Sequence, residues 1–192
     1  MDEKRPGPMT MRYAAVLACI GGIVWTWMVN GAMPHLGVPT LGQAASMMGY
    51  AQDFAHRHWY TVHAYAFGYP LPVSLATGLP LAMLAGWFLR MGLHVADAYA
   101  AAMACWLAVG FMGAFRLASC FGLRGHLAAL AAAMWMTLPM VWEHQSYSSL
   151  AIGMACLPLY LSSAYSLVES VPSARATWYA RVEFVALCSV AL

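Results

Sequence analysis

The sequence predicts an all-α, polytopic helical membrane protein. Apolar residues make up 62% of the 192 positions and charged residues only 8%, against a norm of roughly 25% charged in globular domains. A soluble chain of this length cannot bury so much apolar surface, because most of its residues would still face water. Apolar runs such as 13–28 and 126–142 approach the ~20 residues that cross a bilayer core, and a bilayer requires such runs to be helical.

The first helix is predicted over 13–30, after a cytoplasmic tail at 1–12. The apolar run is longer than the core of a usual signal peptide. Trp25 and Trp27 lie near its far end, where tryptophan suits the membrane–water interface. We therefore expect an uncleaved anchor whose N-terminus is cytoplasmic.

The basic residues indicate which later segments cross the membrane. If 71–90 spans, four of the nine Lys and Arg residues lie inside and five outside, which contradicts the positive-inside rule. If 71–90 instead dips in from the outer face, only Arg57 and Arg90 remain outside. The segment is also interrupted by Pro72 and Pro80, which break helices. The sequence thus favours a dipping segment, with a kinked true span as the alternative.

The remaining elements follow from that topology. An outer loop covers 31–95, and further spans are predicted over 97–118, 126–142 and 149–168. Residues 182–192 would begin another span, so we expect the front part of a larger protein. Asp97 is expected to cap the helix that begins there, because its carboxylate can accept from exposed helix amides.

Within the outer loop, a short interfacial helix is predicted after Thr40. Its apolar face would include Ala45, Met48 and Ala51, and its polar face Tyr50, Asp53 and Arg57. Asp53 is read either as a solvated helix residue or as a functional carboxylate. The polar residues of the predicted outer side are three carboxylates (Asp53, Asp97, Glu143) and six of the seven histidines (His35, His56, His58, His63, His94, His144). Polar chemistry is therefore concentrated on one face.

Several site classes receive little support. The basic residues are scattered, so no nucleic-acid partner is expected. The five cysteines lie in or beside apolar runs without a C-x-x-C pair, which favours packing roles. Glu143 and His144, directly after a predicted span, can bind a divalent cation or relay a proton, or form an ordinary interfacial turn. The histidines at 56, 58 and 63 lack a clean metal spacing.

Three stretches carry a family resemblance. WYTVHAYAFGYPLP (59–72) resembles the aromatic and Gly-Tyr-Pro-Leu element in the first outer loop of GT-C-type membrane glycosyltransferases and their YfhO-like relatives. GAFRLASCFGLRGHLAALAAAMWMTLPM (113–140) and SSLAIGMACLPLYL (148–161) are similar to the segments that follow in that family. The resemblance covers about 13 to 168 through short motifs.

The resemblance implies a GT-C-like fold with an outward-facing active site in a bacterial inner membrane. Such enzymes transfer a sugar from a polyprenyl-phosphate donor to an acceptor outside the cytoplasm. A first-loop Asp acts as base, or binds a metal in some branches, so Mg or Mn is the cofactor that the resemblance allows. Carried over, the implied catalytic residues are Asp53 and Glu143, and the implied substrate-binding residues are Arg57, His58, Trp59, His63, Tyr69 and His144.

One departure from the family pattern keeps alternatives open. The family's Asp tends to lie soon after the first helix, where this chain has Gln43, and an amide cannot accept a proton at neutral pH. Either Asp53 substitutes, or the chain does not catalyse by that route. The alternatives are a non-catalytic scaffold or transporter part with the same architecture, and a metal or haem protein that uses the outer histidines.

Overall fold

The computed structural model describes residues 8–37, 44–57, 63–64, 73–74, 79–123, 125–142 and 148–169, with 178, 181–182 and 185–186. Apart from turns and short connections, the described part is helical with one antiparallel ladder of two-residue strands, in which His63 pairs with Ser74 and Ala64 with Val73. The elements are α1 (Pro8–Asn30), α2 (Ala44–His56), β1 (His63–Ala64), β2 (Val73–Ser74), α3 (Leu79–Arg90), α4 (Val95–Cys120), α5 (His126–Met136), α6 (Pro139–Trp142) and α7 (Ser148–Glu169).

Two of the described helices are long and apolar enough to cross a membrane, over Tyr13–Asn30 and Val95–Cys120. Helix α3, in contrast, has 12 residues. At 1.5 Å per residue it is about 18 Å long, well short of the ~30 Å hydrocarbon core. Pro80 stands at its second position, where a missing N–H costs little. The helix ends before Gly92, whose φ of 92° suits a residue without a Cβ.

Helices α1 and α4 run antiparallel. Trp27, near the end of α1, donates its indole N–H to the Ala100 carbonyl oxygen near the start of α4 (3.1 Å). At the other extremity, Cys19 of α1 and Phe115 of α4 line one groove. We call the end of the bundle where α1 finishes and α4 begins the His35 end, and the opposite one, where α4 finishes, the Phe121 end.

Helix α7 runs parallel to α4. Gly113 of α4 lies against the Leu159 backbone, and further along both helices the Phe121 and Tyr165 rings lie 5.4 Å apart. The parallel direction requires the chain to return from the Phe121 end to the His35 end between α4 and α7. Helices α5 and α6 lie in that return segment.

The predicted helix over 126–142 is continuous only to Met136. Thr137 and Leu138 interrupt it, and α6 begins at Pro139. The reason is Pro139, which lacks an N–H and disfavours the helical conformation at the residue before it. The Thr137 N–H and hydroxyl both bond the Met134 carbonyl oxygen, so the end of α5 is capped locally.

Two clusters of buried side chains form the core. One lies at the His35 end and joins α2, α3 and the first half of α4, together with Ala32 and Cys156. The other joins α1, α4 and α5 through residues such as Leu107, Phe111 and Met136. Through the first cluster, the α2–α3 pair packs against the His35 end of the bundle.

Helix α2 buries Met48 and Ala51 of the predicted apolar face, together with residues outside that face. Met47, Tyr50 and Phe54 are buried, whereas Ala45, assigned to the apolar face, is exposed. The difference arises because α2 packs on α3 rather than resting on a flat surface. Its large side chains join the buried cluster that also contains residues of α3 and the start of α4. The assignment of Tyr50 to the polar face was wrong.

Candidate functional site

Asp53 of α2 and Arg57, the residue that directly follows α2, form an ion pair. They are one helical turn apart, and Arg57 Nε donates to Asp53 Oδ1 at 2.9 Å. The Asp53 side chain is only 9% exposed, whereas that of Arg57 is 44% exposed. The reading of Asp53 as a solvated residue was therefore wrong: its carboxylate is shielded and held by a guanidinium that itself reaches solvent.

Arg90 joins the ends of α2 and α3. It is the last residue of α3, and its guanidinium donates to the Phe54 carbonyl oxygen (2.7 Å) and to the Ala55 carbonyl oxygen (3.1 Å). These carbonyls belong to the last turn of α2, where the helix leaves carbonyl groups short of partners; the Phe54 oxygen also accepts from the Arg57 N–H at 3.4 Å. A cation is favourable at this negative end of the helix dipole. Arg90 is therefore a cap that fixes α2 against α3.

The same two helices approach closely at Gly86. A Cβ placed there would lie 2.8 Å from the Ala51 carbonyl oxygen and 3.2 Å from Phe54 Cβ. Only glycine allows this approach, because a backbone oxygen cannot move aside as a flexible side chain could. The contact and the Arg90 cap together set the geometry of the α2–α3 pair.

An apolar cleft of about 550 Å³ opens beside this contact. Phe54 contributes from α2, and Met83, Leu84 and Trp87 from α3, with Arg90 at its edge. Trp87 is 58% exposed, so one wall of the cleft faces outward. Its lining suits a hydrocarbon chain, and its lining residue Phe54 directly follows Asp53 in the chain.

A second polar pair, His35 with Asp97, was not predicted. The His35 backbone N–H donates to Asp97 Oδ1 at 2.8 Å, and the His35 imidazole Nδ1 lies 3.1 Å from Asp97 Oδ2. The predicted capping role of Asp97 was wrong: His94 is the N-cap of α4 and accepts from the Ala96 N–H. Asp97 lies in the first turn, where the helix dipole favours a carboxylate, and its oxygens bind the segment after α1.

A topological signal for this pair was available in the sequence. Residues 35 and 97 lie at the two ends of the predicted outer loop, so a loop that starts and finishes on one face brings them together. The pairing of a particular histidine with Asp97 depends on the backbone turn at 31–37, which the sequence pattern did not specify.

The other predicted site residues are placed only in part. His63 lies in β1, of which the structure describes the backbone. His58, Trp59, Tyr69, Glu143 and His144 lie outside the described residues. Of the predicted site, the structure therefore brings together Asp53 and Arg57, and the assignment of the remaining residues stays a prediction.

The described part of the chain contains no candidate metal site and no disulfide. Among those residues, no group of three or more His, Cys, Asp or Glu side chains could hold a metal ion. The four cysteines that the structure describes are free, and Cys156 is buried in the cluster at the His35 end. Mg or Mn as a cofactor stays a prediction, because Glu143 and His144 are outside this set.

Comparison of the chain with protein-family models, curated proteins and solved structures finds no match.

Proposed function

We propose that the chain is an integral membrane protein whose His35 end faces away from the cytoplasm. The support is the large apolar surface left uncovered on its helices. Leu17 and Met28 of α1, Met134 of α5 and Leu161 of α7 are all exposed, although soluble proteins rarely expose large continuous apolar patches. Helices α1 and α4 would span, and α3, which is too short to do so, would stay on the outer side with α2.

The parallel arrangement of α4 and α7 supports this topology. Two helices that cross in the same direction need one crossing between them. Helices α5 and α6 would provide it together, because the stretch from His126 to Trp142 is longer than α3. The α1–α4 contact at the His35 end supports it too. Because α1 ends and α4 begins on the same face of the membrane, the segment between them needs no crossing. The 71–90 segment then belongs to the outer side.

Within this frame, the function we propose is transfer of a sugar from a polyprenyl-phosphate donor to an acceptor on the outer face. The observation that carries the proposal is the apolar cleft between α2 and α3, whose lining residue Phe54 directly follows Asp53 in the chain. The cleft would take part of the isoprenoid chain, and Arg57 would bind the phosphate, for which a guanidinium is well suited. A phosphate that binds Arg57 would compete with Asp53 for that guanidinium.

Asp53 would then serve as the base. It would take the proton of the acceptor hydroxyl while the new bond to the sugar C1 forms and the bond from C1 to the phosphate oxygen breaks. The phosphate would leave on its lipid, with its charge balanced by Arg57. Glu143 would assist, with His144, and the aromatic residues Trp59 and Tyr69 would stack on the sugar or the carrier, as the family resemblance implies.

The second candidate is a non-catalytic scaffold or transporter part with the same architecture. It is favoured by the tight pairing of Asp53 with Arg57, which gives the carboxylate a structural partner, and by Gln43 at the position where the resembled family tends to have its acid. The two candidates differ in turnover rather than in lipid binding.

The experiment is a transfer assay on the full-length protein in liposomes, supplied with radiolabelled polyprenyl-phosphate sugars and a membrane extract as the source of acceptor. We expect carrier binding and labelled product. Binding of the carrier without product would favour the scaffold. Neither binding nor product with any carrier would contradict both the assigned cleft and the enzyme.

A further inference from the structure

We propose that Arg90 binds the phosphate of the lipid that occupies the cleft between α2 and α3, so that the cleft selects an apolar chain that ends in a phosphate. The inference rests on the proposed function for the identity of this lipid, the polyprenyl carrier. It adds to Arg57 a phosphate ligand that lines the cleft itself. The supporting observations are the bonds that hold the guanidinium, the lining of the cleft and the local charge balance.

One part of the Arg90 guanidinium is already bound to protein. Nε donates to the Ala55 carbonyl oxygen at 3.1 Å, and Nη2 donates to the Phe54 carbonyl oxygen at 2.7 Å. A guanidinium carries five N–H donors in a planar fork, so these two bonds leave three donors. Among the described residues, none of the three has a partner. The last turn of α2 therefore fixes the position of the cation and leaves donors for a ligand.

The cleft combines a long apolar wall with a cation at one end. Its lining follows one face of α3 from Pro80 to Arg90, a rise of about 15 Å. Arg90 is the only charged residue of α3 and stands at its last position. A ligand that matches both features has an apolar chain and a terminal anion, and a phosphate is the anion that a guanidinium fork binds well.

The charges of the two helices favour an anion at this place. Asp53 and Arg57 offset each other in their ion pair, whereas Arg90 has no carboxylate partner among the described residues. The negative end of the α2 dipole, equivalent to about half a charge, offsets Arg90 only in part. A phosphate on Arg90 would balance the remaining charge, and it would not have to compete with Asp53.

The test measures how well a ligand protects a thiol in the cleft from N-ethylmaleimide in the detergent-purified full-length protein. The thiol is introduced by Met83→Cys, at a residue that lines the cleft. The matched reporter is Met134→Cys on α5, which is 61% exposed and is not part of the cleft lining. Reaction at each position is read by mass spectrometry. The probes are farnesyl phosphate, farnesol, which has the same chain without the phosphate, and dodecyl phosphate.

Farnesyl phosphate is expected to protect residue 83 at a concentration about tenfold or more below that of farnesol, as expected for hydrogen bonds to a charged group. Residue 134 should react equally fast with either probe. Arg90→Gln should bring the two protecting concentrations within about twofold. Arg90→Lys should keep part of the difference, because lysine retains the charge but not the fork. Arg57→Gln should leave most of the difference in place.

Farnesol is also the control for the fold of each variant, because Arg90 caps α2. Protection by farnesol shows that the cleft is intact without any phosphate contact. If Arg90→Gln loses this protection, Arg90→Lys, which keeps a cation at the end of α2, decides the test in its place. Protection by dodecyl phosphate but not by farnesyl phosphate would support Arg90 as the phosphate ligand and contradict the polyprenyl carrier of the proposed function.

Three results would overturn the assignment of Arg90. The first is equal protection of the parent protein by farnesyl phosphate and farnesol. The second is a preference for the phosphate that the variants at Arg90 retain in full. The third is a preference lost only in Arg57→Gln, which would place the phosphate on Arg57 and leave the proposed function standing. Protection by none of the three probes would contradict the cleft as a lipid site, and with it the proposed function.

Discussion

Replacing Gly113 by alanine is expected to lower the free energy of unfolding by about 2–3 kcal/mol. A Cβ at this position would lie 2.5 Å from the Leu159 backbone nitrogen and 2.8 Å from its Cα. Both atoms belong to the α7 backbone next to Pro158, so the helices must separate to admit the methyl group. The measurement is thermal unfolding of the detergent-purified protein. The quantity recorded at each temperature is the fraction of protein that stays monodisperse after heating.

Two glycines of α1 provide matched controls. At Gly22 a Cβ would meet the Met136 sulfur at 2.6 Å, and a flexible methionine side chain can move aside, so Gly22→Ala should cost far less than Gly113→Ala. At Gly21 nothing lies within 4 Å, so Gly21→Ala should gain up to ~1 kcal/mol from helix propensity. Equal stability of the Gly113 and Gly21 variants would contradict the close α4–α7 packing.

Asp53→Asn in the full-length protein is expected to reduce sugar transfer by about 100-fold or more, the usual contribution of a general base. The amide oxygen can still accept from Arg57 Nε, so the α2 ion-pair geometry and the melting temperature should change little. The measurement is the initial rate of labelled product with the polyprenyl-phosphate donor, with thermal unfolding recorded on the same preparations. Glu143→Gln, at the other predicted acid, should also impair transfer.

Gln52→Ala is the control for the Asp53 variant. Gln52 is the exposed neighbour of Asp53 on α2, so its loss tests whether any change on this helix reduces transfer. If folded Asp53→Asn protein transfers sugar within about twofold of the parent rate, the assignment of Asp53 as the base is contradicted. Asp53 would then be only a structural partner of Arg57.

The sequence was sufficient for the helical class and for an interruption of the 71–90 segment near Pro80, because both depend on local properties. Apolar composition requires helices in a bilayer, and Pro80 marks the start of a short helix. The sequence was also sufficient to place an acid and an arginine one turn apart on α2, since i and i+4 residues share a helix face.

The tertiary contacts could not be predicted in the same way. The roles of Arg90, Gly86 and Gly113 depend on which backbone lies opposite each of them, and a single sequence carries no record of that. Asp97 shows the same limit: its position in the first turn predicted a cap, but a histidine 62 positions earlier in the chain was close enough to bind its carboxylate. Likewise, Tyr50 is buried in a cluster that joins α2, α3 and the start of α4, and a helical-wheel pattern does not include such contacts.

The most direct test of the account asks on which side of the membrane the end of α3 lies. Arg90 itself is unsuitable for substitution because it caps α2, but Met91 follows it and is 60% exposed. A membrane-impermeant maleimide should label Met91→Cys in intact cells, and should label Phe121→Cys, which is 69% exposed at the Phe121 end, only after lysis. Labelling of Met91→Cys only after lysis would place the end of α3 in the cytoplasm and contradict the account.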